Sequence, residues 1–379
     1  MKVLVAIDSF KGSVSSVEAS KAVSLGIRDV FTDAEILSVP LADGGEGTVE
    51  ALVHAADGHV IKQRVTGSLN QTVDAEYGIL SDGKTAVIEV SSACGLPLVP
   101  IKHRNPLITT TYGVGELICD AIERGCRHFI IGLGGSATND AGIGMLQALG
   151  YNFLDKNGES VGLGGGELRR IRKIDTTHVH PVLKSCTFKV ACDVTNPLYG
   201  PNGATYVYGP QKGATPEMLE ELDAGMESFS QVAFHKIGLD IQSINGAGAA
   251  GGLGAAFAGF LQAQLQSGIE LVMELANIEE KLGHVDFVVT GEGKIDGQTS
   301  MGKAPLGLSK LAQKHGIPVI ALAGAISEKG STLNSQGITA LFSIMNEPMS
   351  LEEAMAKDVT SDHLRFTTCQ LFRLIRAIR

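Results

Sequence analysis

Five stretches of this 379-residue chain set acids and isolated lysines among glycines, the mixture that holding and moving a charged group requires. The first is Asp8-Ser9-Phe10-Lys11-Gly12-Ser13, at the end of an apolar run. Asp8 and Ser9 can face a ligand there, and Lys11 can meet a phosphate or a carboxylate as a point charge. The plainer alternative is a helix cap made by Ser13 or Ser15, with Lys11 solvated. The second is Ala42-Asp43-Gly44-Gly45-Glu46-Gly47-Thr48. Asp43 and Glu46, held among glycines, can bind Mg2+ or a substrate hydroxyl. An Asp-Gly turn, with Glu46 favouring the N-terminus of the next helix, accounts for the same residues without a ligand.

The third stretch is Gly132-Leu133-Gly134-Gly135-Ser136-Ala137-Thr138-Asn139-Asp140. Free N–H groups and the positive dipole end of a helix suit an anion, which makes Gly134, Gly135, Ser136, Thr138, Asn139 and Asp140 candidate substrate or phosphate contacts. The string also fits a Gly-x-Gly-x-x-Ala dinucleotide pattern, with Asp155 near the place of the later acid. Its polar continuation falls where a dinucleotide fold packs an apolar helix on the sheet, so phosphate or substrate contact is preferred over NAD. The fourth is Asp193-Val194-Thr195-Asn196-Pro197-Leu198. Asp193 is a candidate general base for a substrate hydroxyl, a role that contributes roughly 10²–10⁴-fold to rate, with a turn or cap as the alternative. Asn196 is a candidate substrate contact, and Lys212 close behind can add positive charge.

The fifth stretch, 290–305, carries Glu292, Asp296 and Lys303. The two acids can hold a metal, Lys303 can meet a phosphate, and Pro305 marks a helix start. Gly297 to Lys303 fits the first part of a P-loop, but Ala304 stands where a Ser or Thr would ligate Mg2+. The match is read as false. Acids for a metal, cations for the moving group and a base for the acceptor together describe phosphoryl transfer to a small anionic metabolite.

Such loops need rigid elements behind them. Short β-branched or apolar runs at 3–7, 36–39, 129–131, 187–191, 287–290, 319–323 and 340–343 read as strands. Helical patterns at 16–30, from 48, and at 112–123, 141–149, 216–236, 249–267 and 361–378 alternate with them. This is the pattern of an α/β protein with mostly parallel sheets, whose ligands bind at the carboxyl ends of the strands. Runs at 60–65, 73–80 and 86–90, separated by turn residues, read instead as an antiparallel meander.

Composition narrows the class. The chain is 44% hydrophobic and 19% charged, and long enough for two α/β domains. Its 47 glycines cluster at strand-to-helix positions, as tight turns and close ligand approach require. A net charge of −10 excludes nucleic acid and anionic membranes as favoured partners, so a bound anion needs local lysines, N–H groups or a metal. Cys94, Cys119, Cys126, Cys186, Cys192 and Cys369 show no zinc or disulfide spacing and read as small buried apolar residues. The N-terminal apolar run is short and ends at Asp8, and the longest uncharged stretch, 241–269, is rich in Gly, Gln and Asn. Neither reads as a signal or a membrane span, and a cytoplasmic location is expected. A homo-oligomer is compatible with the sequence, which does not fix the oligomeric state.

The five strings, in this order from the N-terminus to about residue 325, resemble the type-1 glycerate kinase family. Ile7 stands where many members carry proline. The resemblance implies ATP-dependent phosphorylation of D-glycerate at its 2-hydroxyl, with Mg2+. It implies two α/β domains, one inserted in the other, with the active site in the cleft between them. Residues 1–75 with 285–379 would form a discontinuous Rossmann-like domain, and 76–284 the inserted one. In that setting Asp193 would deprotonate the hydroxyl, Lys11 and Lys303 would neutralise phosphate or carboxylate, and Glu292 with Asp296 would hold Mg2+. The loop 134–139 would meet substrate or phosphate. The alternatives are an NAD-dependent oxidoreductase of a small hydroxy acid built on 132–137, transfer to the 3-hydroxyl, another sugar-acid or homoserine-type kinase, and a non-catalytic anion binder. Seven loop carboxylates argue against the last, since a plain anion binder gains nothing from them.

Overall fold

The computed structural model describes residues 1–238, 240–296 and 304–378. Among them thirteen strands follow in chain order: β1 (Lys2–Ile7), β2 (Glu35–Ser38), β3 (His59–Thr66), β4 (Thr72–Ile79), β5 (Thr85–Glu89), β6 (His128–Gly132), β7 (Asn152–Leu154), β8 (Lys173–Asp175), β9 (Thr187–Ala191), β10 (Gln264–Gln266), β11 (Phe287–Ile295), β12 (Val319–Ile326) and β13 (Ala340–Ser343). The architecture is α/β with mostly parallel sheets. The chain forms two compact units, one of Met1–Asp43, Glu50–Asp57 and Ile269–Arg379, the other of Gly44–Val49 and Gly58–Gly268. The sequence reading changed units at 75/76 and 284/285 instead. β3 belongs with the second unit because it pairs antiparallel with β4 along its whole length, from His59↔Ile79 to Thr66↔Thr72.

The first unit holds a parallel sheet in the order β13-β12-β11-β1-β2. Both faces are covered, as continuous apolar strands demand. Val3, Val5 and Ile7 of β1 pack with Val23 and Ile27 of the helix Ser16–Arg28 and with Leu364 and Phe372 of the C-terminal helix Lys357–Ile378. On the other face Ala321 and Ala323 pack with Leu306 of the helix Ala304–Lys314. Thus the helix that leads from β1 to β2 and the one that leads from β11 to β12 lie on opposite faces. The direction of winding reverses between β1 and β11, the place where an open α/β sheet leaves a crevice beyond its strand ends.

The second unit carries the order β10-β9-β6-β5-β4-β3. β5, β6, β9 and β10 run parallel, and β3 and β4 add the expected antiparallel meander at one edge. Phe129 and Phe188 of neighbouring strands stack with ring centroids 4.9 Å apart in its core. The helix expected over 249–267 is broken. Ala250 and Gly251 take left-handed φ values of 52° and 69°, a helix runs only over Leu253–Phe260, and β10 follows. Cys94 and Cys126 are buried as expected, whereas the other four cysteines are half-buried, and all six are free thiols.

Phe372 ties the C-terminal helix to the first sheet. It is fully buried and meets Phe31 and Phe287 edge-on, each at 6.3 Å between centroids. Phe372→Ala is expected to lower the unfolding free energy by about 3–5 kcal/mol, read from urea denaturation. A loss under 1 kcal/mol would show that the helix is not anchored there.

Candidate active site

The carboxyl ends of β1, β11, β12 and β13 line a pocket of about 430 Å³ in the first unit. Register explains the gathering. Ile7 at the end of β1 pairs with Gly291 of β11, and the Asp8 N–H donates to the Gly291 carbonyl at 2.9 Å. Asp8 and Glu292 are therefore set beside each other by backbone pairing. Ser15 caps the following helix, with its side chain accepting from the Glu18 N–H and Glu18 answering to the Ser15 N–H. The capping alternative thus holds at Ser15, while Ser13 bonds through Oγ to Thr360 Oγ1 at 2.6 Å, which fixes the loop to the C-terminal helix. Asp8, Ser9, Lys11, Asp43, Glu292 and Asp296 all line this pocket.

Its electrostatics are those of crowded acids. Burial, then the Asp43 charge, pushes Asp8 up to about 7, although the Ser9 N–H bonds its carboxylate at 2.7 Å. Glu292 is buried and adds to the same shift. Partial burial pulls Lys11 down, but Asp43 and Asp8 outweigh it and its ammonium is held above its ordinary range. Lys11 Nζ lies 3.5 Å from the Asp43 carboxylate, and Lys294 Nζ lies 3.3 Å from that of Asp296. Lys303 and the remainder of 297–303 lie outside the described residues.

The other predicted residues lie in the second unit, and most serve its interior. The loop 132–140 leaves β6 with Gly135 at φ 76°, and a Cβ on Gly134 would fall 2.7 Å from Gly45 Cα. Only a residue without a side chain fits there. Asp140 is fully buried, and its carboxylate accepts from Thr111 N–H and Oγ1 at 2.9 Å each, Gly142 N–H at 3.1 Å and Gly144 N–H at 3.4 Å. It anchors the loop instead of facing solvent. Asn139 Nδ2 donates to Thr205 Oγ1 at 2.9 Å, also inside. Lys212 is buried too: its Nζ donates to Ser136 Oγ at 3.0 Å and to the Thr138 carbonyl at 2.6 Å. The ammonium that promised surface charge pins the loop from within.

At the end of β9, Asp193 is exposed, and its Oδ1 accepts from the Gly268 N–H at 3.0 Å. Asn196 braces its own loop, with Nδ2 donating to the Asn202 carbonyl at 2.9 Å and Oδ1 accepting from the Tyr208 hydroxyl at 2.7 Å. Glu46 is exposed, and the helix N-terminus it was expected to favour is served by Glu89, whose carboxylate accepts from the Val49 N–H at 2.8 Å. Burial raises Glu89 above its ordinary range. Sequence reading missed Glu89, although its place at the end of a strand was a usable signal. Asp155, the acid a dinucleotide fold would need, instead takes the Asn157 and Glu159 N–H groups in a turn, at 2.8 and 3.1 Å.

Among the described residues, no three of His, Cys, Asp or Glu are arranged to hold a metal ion by themselves, and no helix is long and apolar enough to cross a membrane. Acids and a lysine thus gather at the switch point of a doubly covered parallel sheet, the place where α/β proteins of this architecture bind their ligands. A model of the glycerate kinase family matches residues 3–376, and the chain belongs to that family. It is 48% identical over 354 residues to a glycerate 2-kinase of Escherichia coli (strain K12), and 49% identical over 354 residues to a glycerate kinase of Bacillus subtilis (strain 168). Each alignment covers 93% of both chains. A crystal structure described as that of a glycerate kinase 2 from Salmonella typhimurium LT2 superposes with a TM-score of 0.91 at 44% identity, over 100% of this chain and 98% of that one. The oxidoreductase and anion-binder alternatives find no support in these likenesses.

Burial lowers Lys212 from 10.5 to about 8, with Cys94 and Asp140 opposing the shift. Between about pH 8 and 10.5 the unfolded lysine binds a proton that the folded one has released, so stability rises with pH in that window and is lost again as pH falls through 8. The unfolding free energy of the wild type, measured against Lys212→Met, is expected to climb from pH 8 to 10. A flat difference would show that the amine keeps its ordinary affinity for protons.

Proposed function

We propose that this chain transfers the terminal phosphoryl group of ATP to the 2-hydroxyl of D-glycerate, with Mg2+. The observation that carries the reading is the pairing of family membership with the acid and lysine loops, which stand at strand ends in the same chain. Glu292 and Asp296, with Asp8 and Asp43 near them, offer hard oxygen donors. Burial, then the Asp43 charge, raises Asp8 to about 7, a cost that a divalent cation offsets. Mg2+ is commonly held by one or two carboxylates plus waters and phosphate oxygens, which agrees with the lack of a complete protein cage among the described residues. When bound, the ion screens the phosphate charges and polarises the transferred group.

Lys11 supplies a cation for the phosphate or the glycerate carboxylate, and Lys303 is assigned the same work. Asp193 takes the proton from the acceptor hydroxyl. Its carboxylate is exposed at the end of β9, where Oδ1 accepts from the Gly268 N–H. The backbone of Gly134–Gly135 and the side chain of Ser136 are the parts of the third loop retained as substrate contacts. Thr138, Asn139, Asp140 and Lys212 hold that loop in shape.

A coupled ADP-release assay across small hydroxy acids is expected to respond to D-glycerate, and phosphorus NMR of the product to show the 2-phosphate. Silence with glycerate would overturn the reading. Asp193→Asn keeps an oxygen for the Gly268 N–H and is expected to cut turnover by about 10²–10⁴-fold with an unchanged urea midpoint. Near-normal turnover in that variant would remove Asp193 from the role of base.

A further inference from the structure

The pocket of the first unit is made of two unlike parts. Asp8, Asp43, Glu292 and Asp296 with Lys11 and Lys294 form the charged part, four carboxylates against two ammonium groups. The other part comes from the segment after β13 and the turns of helix that follow it: Ile344, Met345, Leu351, Ala354 and Met355. Leu351 is 76% exposed, and Met345 and Met355 are 37% exposed each. Large apolar side chains left together in solvent at the rim of a charged cavity are uncommon in a protein without something to cover them.

Glycerate does not account for this surface. It is a three-carbon acid bearing hydroxyl groups, with no apolar face to shelter, and it fills only a fraction of 430 Å³. As a bare anion it is also repelled by an excess of carboxylates. A Mg2+-bound purine nucleotide answers both parts. The acids receive a cation that travels with the phosphates, and the flat base takes the apolar wall. Methionine thioethers are polarisable and adaptable, suited to the faces of a ring system. The chain has no Trp, and of the two aromatic rings among the described lining residues Phe10 is buried and His363 half-buried.

We infer that the first unit is the nucleotide-binding unit, with the base of a purine nucleoside di- or triphosphate lying on Met345, Leu351 and Met355 and its Mg2+-phosphates turned to the carboxylates and Lys11. This rests on the kinase reading above and adds which unit and which side chains take the nucleotide.

The test is calorimetric titration of the full chain with ADP and Mg2+ in the absence of glycerate, for the wild type, Met355→Gln and Leu351→Asn. Leu351 is mostly exposed, so its variant guards against a folding failure at Met355, and urea midpoints report the fold of both. Each variant is expected to bind Mg-ADP about tenfold more weakly, a loss on the scale of one apolar contact face. The KM for ATP should rise in step while the KM for glycerate stays within twofold. Unchanged ADP affinity in folded variants, or a rise in the glycerate KM alone, would overturn the assignment, as would a wild type that binds no Mg-ADP. A wild type that binds Mg-ADP through this wall but does not phosphorylate glycerate would uphold the pocket and sink the substrate.

Discussion

Mutual repulsion among carboxylates is the constraint around which the first unit is arranged. Asp8 leaves the end of a fully buried strand, where a charge is poorly solvated, and finds Asp43 and Glu292 within electrostatic reach. A loop free to move would spread these acids apart. Here they cannot separate, because Ile7 and Gly291 are locked in parallel register and carry Asp8 and Glu292 with them. Lys11 relieves part of the repulsion through Asp43. Glu292 lies on β11 and Asp8 directly follows β1, so strand pairing sets these two acids more tightly than a flexible segment would. The remaining imbalance is a standing attraction for a cation.

The second unit treats its ionisable groups in the opposite way. Lys212 and Asp140 are buried and Glu89 half-buried, and each is matched to backbone or hydroxyl partners. A buried charge without partners costs several kcal/mol, whereas one fully supplied with them fixes the groups around it. Asp140 draws together the Thr111 and Gly144 N–H groups from two helix beginnings, and Lys212 draws in the loop between them. The result is a glycine-rich loop whose backbone is held from inside.

The periodic features were legible in the sequence. The strand at Thr187–Ala191 and the helix at Tyr112–Glu123 follow directly from apolar spacing, and the meander follows from its turn residues. The acid-bearing loops after β1 and β2 and the acids of β11 were legible as glycine-rich turns at strand ends, and the structure sets Asp8, Asp43, Glu292 and Asp296 around one pocket. What could not be read was the partner of each polar side chain. Lys212 and Asp140 look like surface charges in a string of letters, and only the packing of distant segments turns them inward. The helix expected at 249–267 failed for a related reason: Ala and Gly permit a helix, but Ala250 and Gly251 take left-handed geometry where the chain meets Thr138 and Asn139. The apolar wall of Met345, Leu351 and Met355 was invisible because no pattern links it to Asp8, some 340 residues away in the chain.

The pairing of β1 with β11 also bears on how the chain comes into being. Val3 finds its neighbour at Phe287, so an interior strand of the first sheet is made almost at the start and gains its second neighbour only near the end. At ordinary rates of synthesis the gap is roughly 15 to 60 s. During that time β1 can pair with β2 and pack Val3, Val5 and Ile7 on the helix Ser16–Arg28, but its other edge has no partner strand. The second unit, nearly all of which lies between these two strands, has its full complement of residues first. The newborn protein thus carries an open, sticky strand edge while the rest of its fold takes shape, and its yield in the cell depends on how well that edge is shielded until Phe287 emerges.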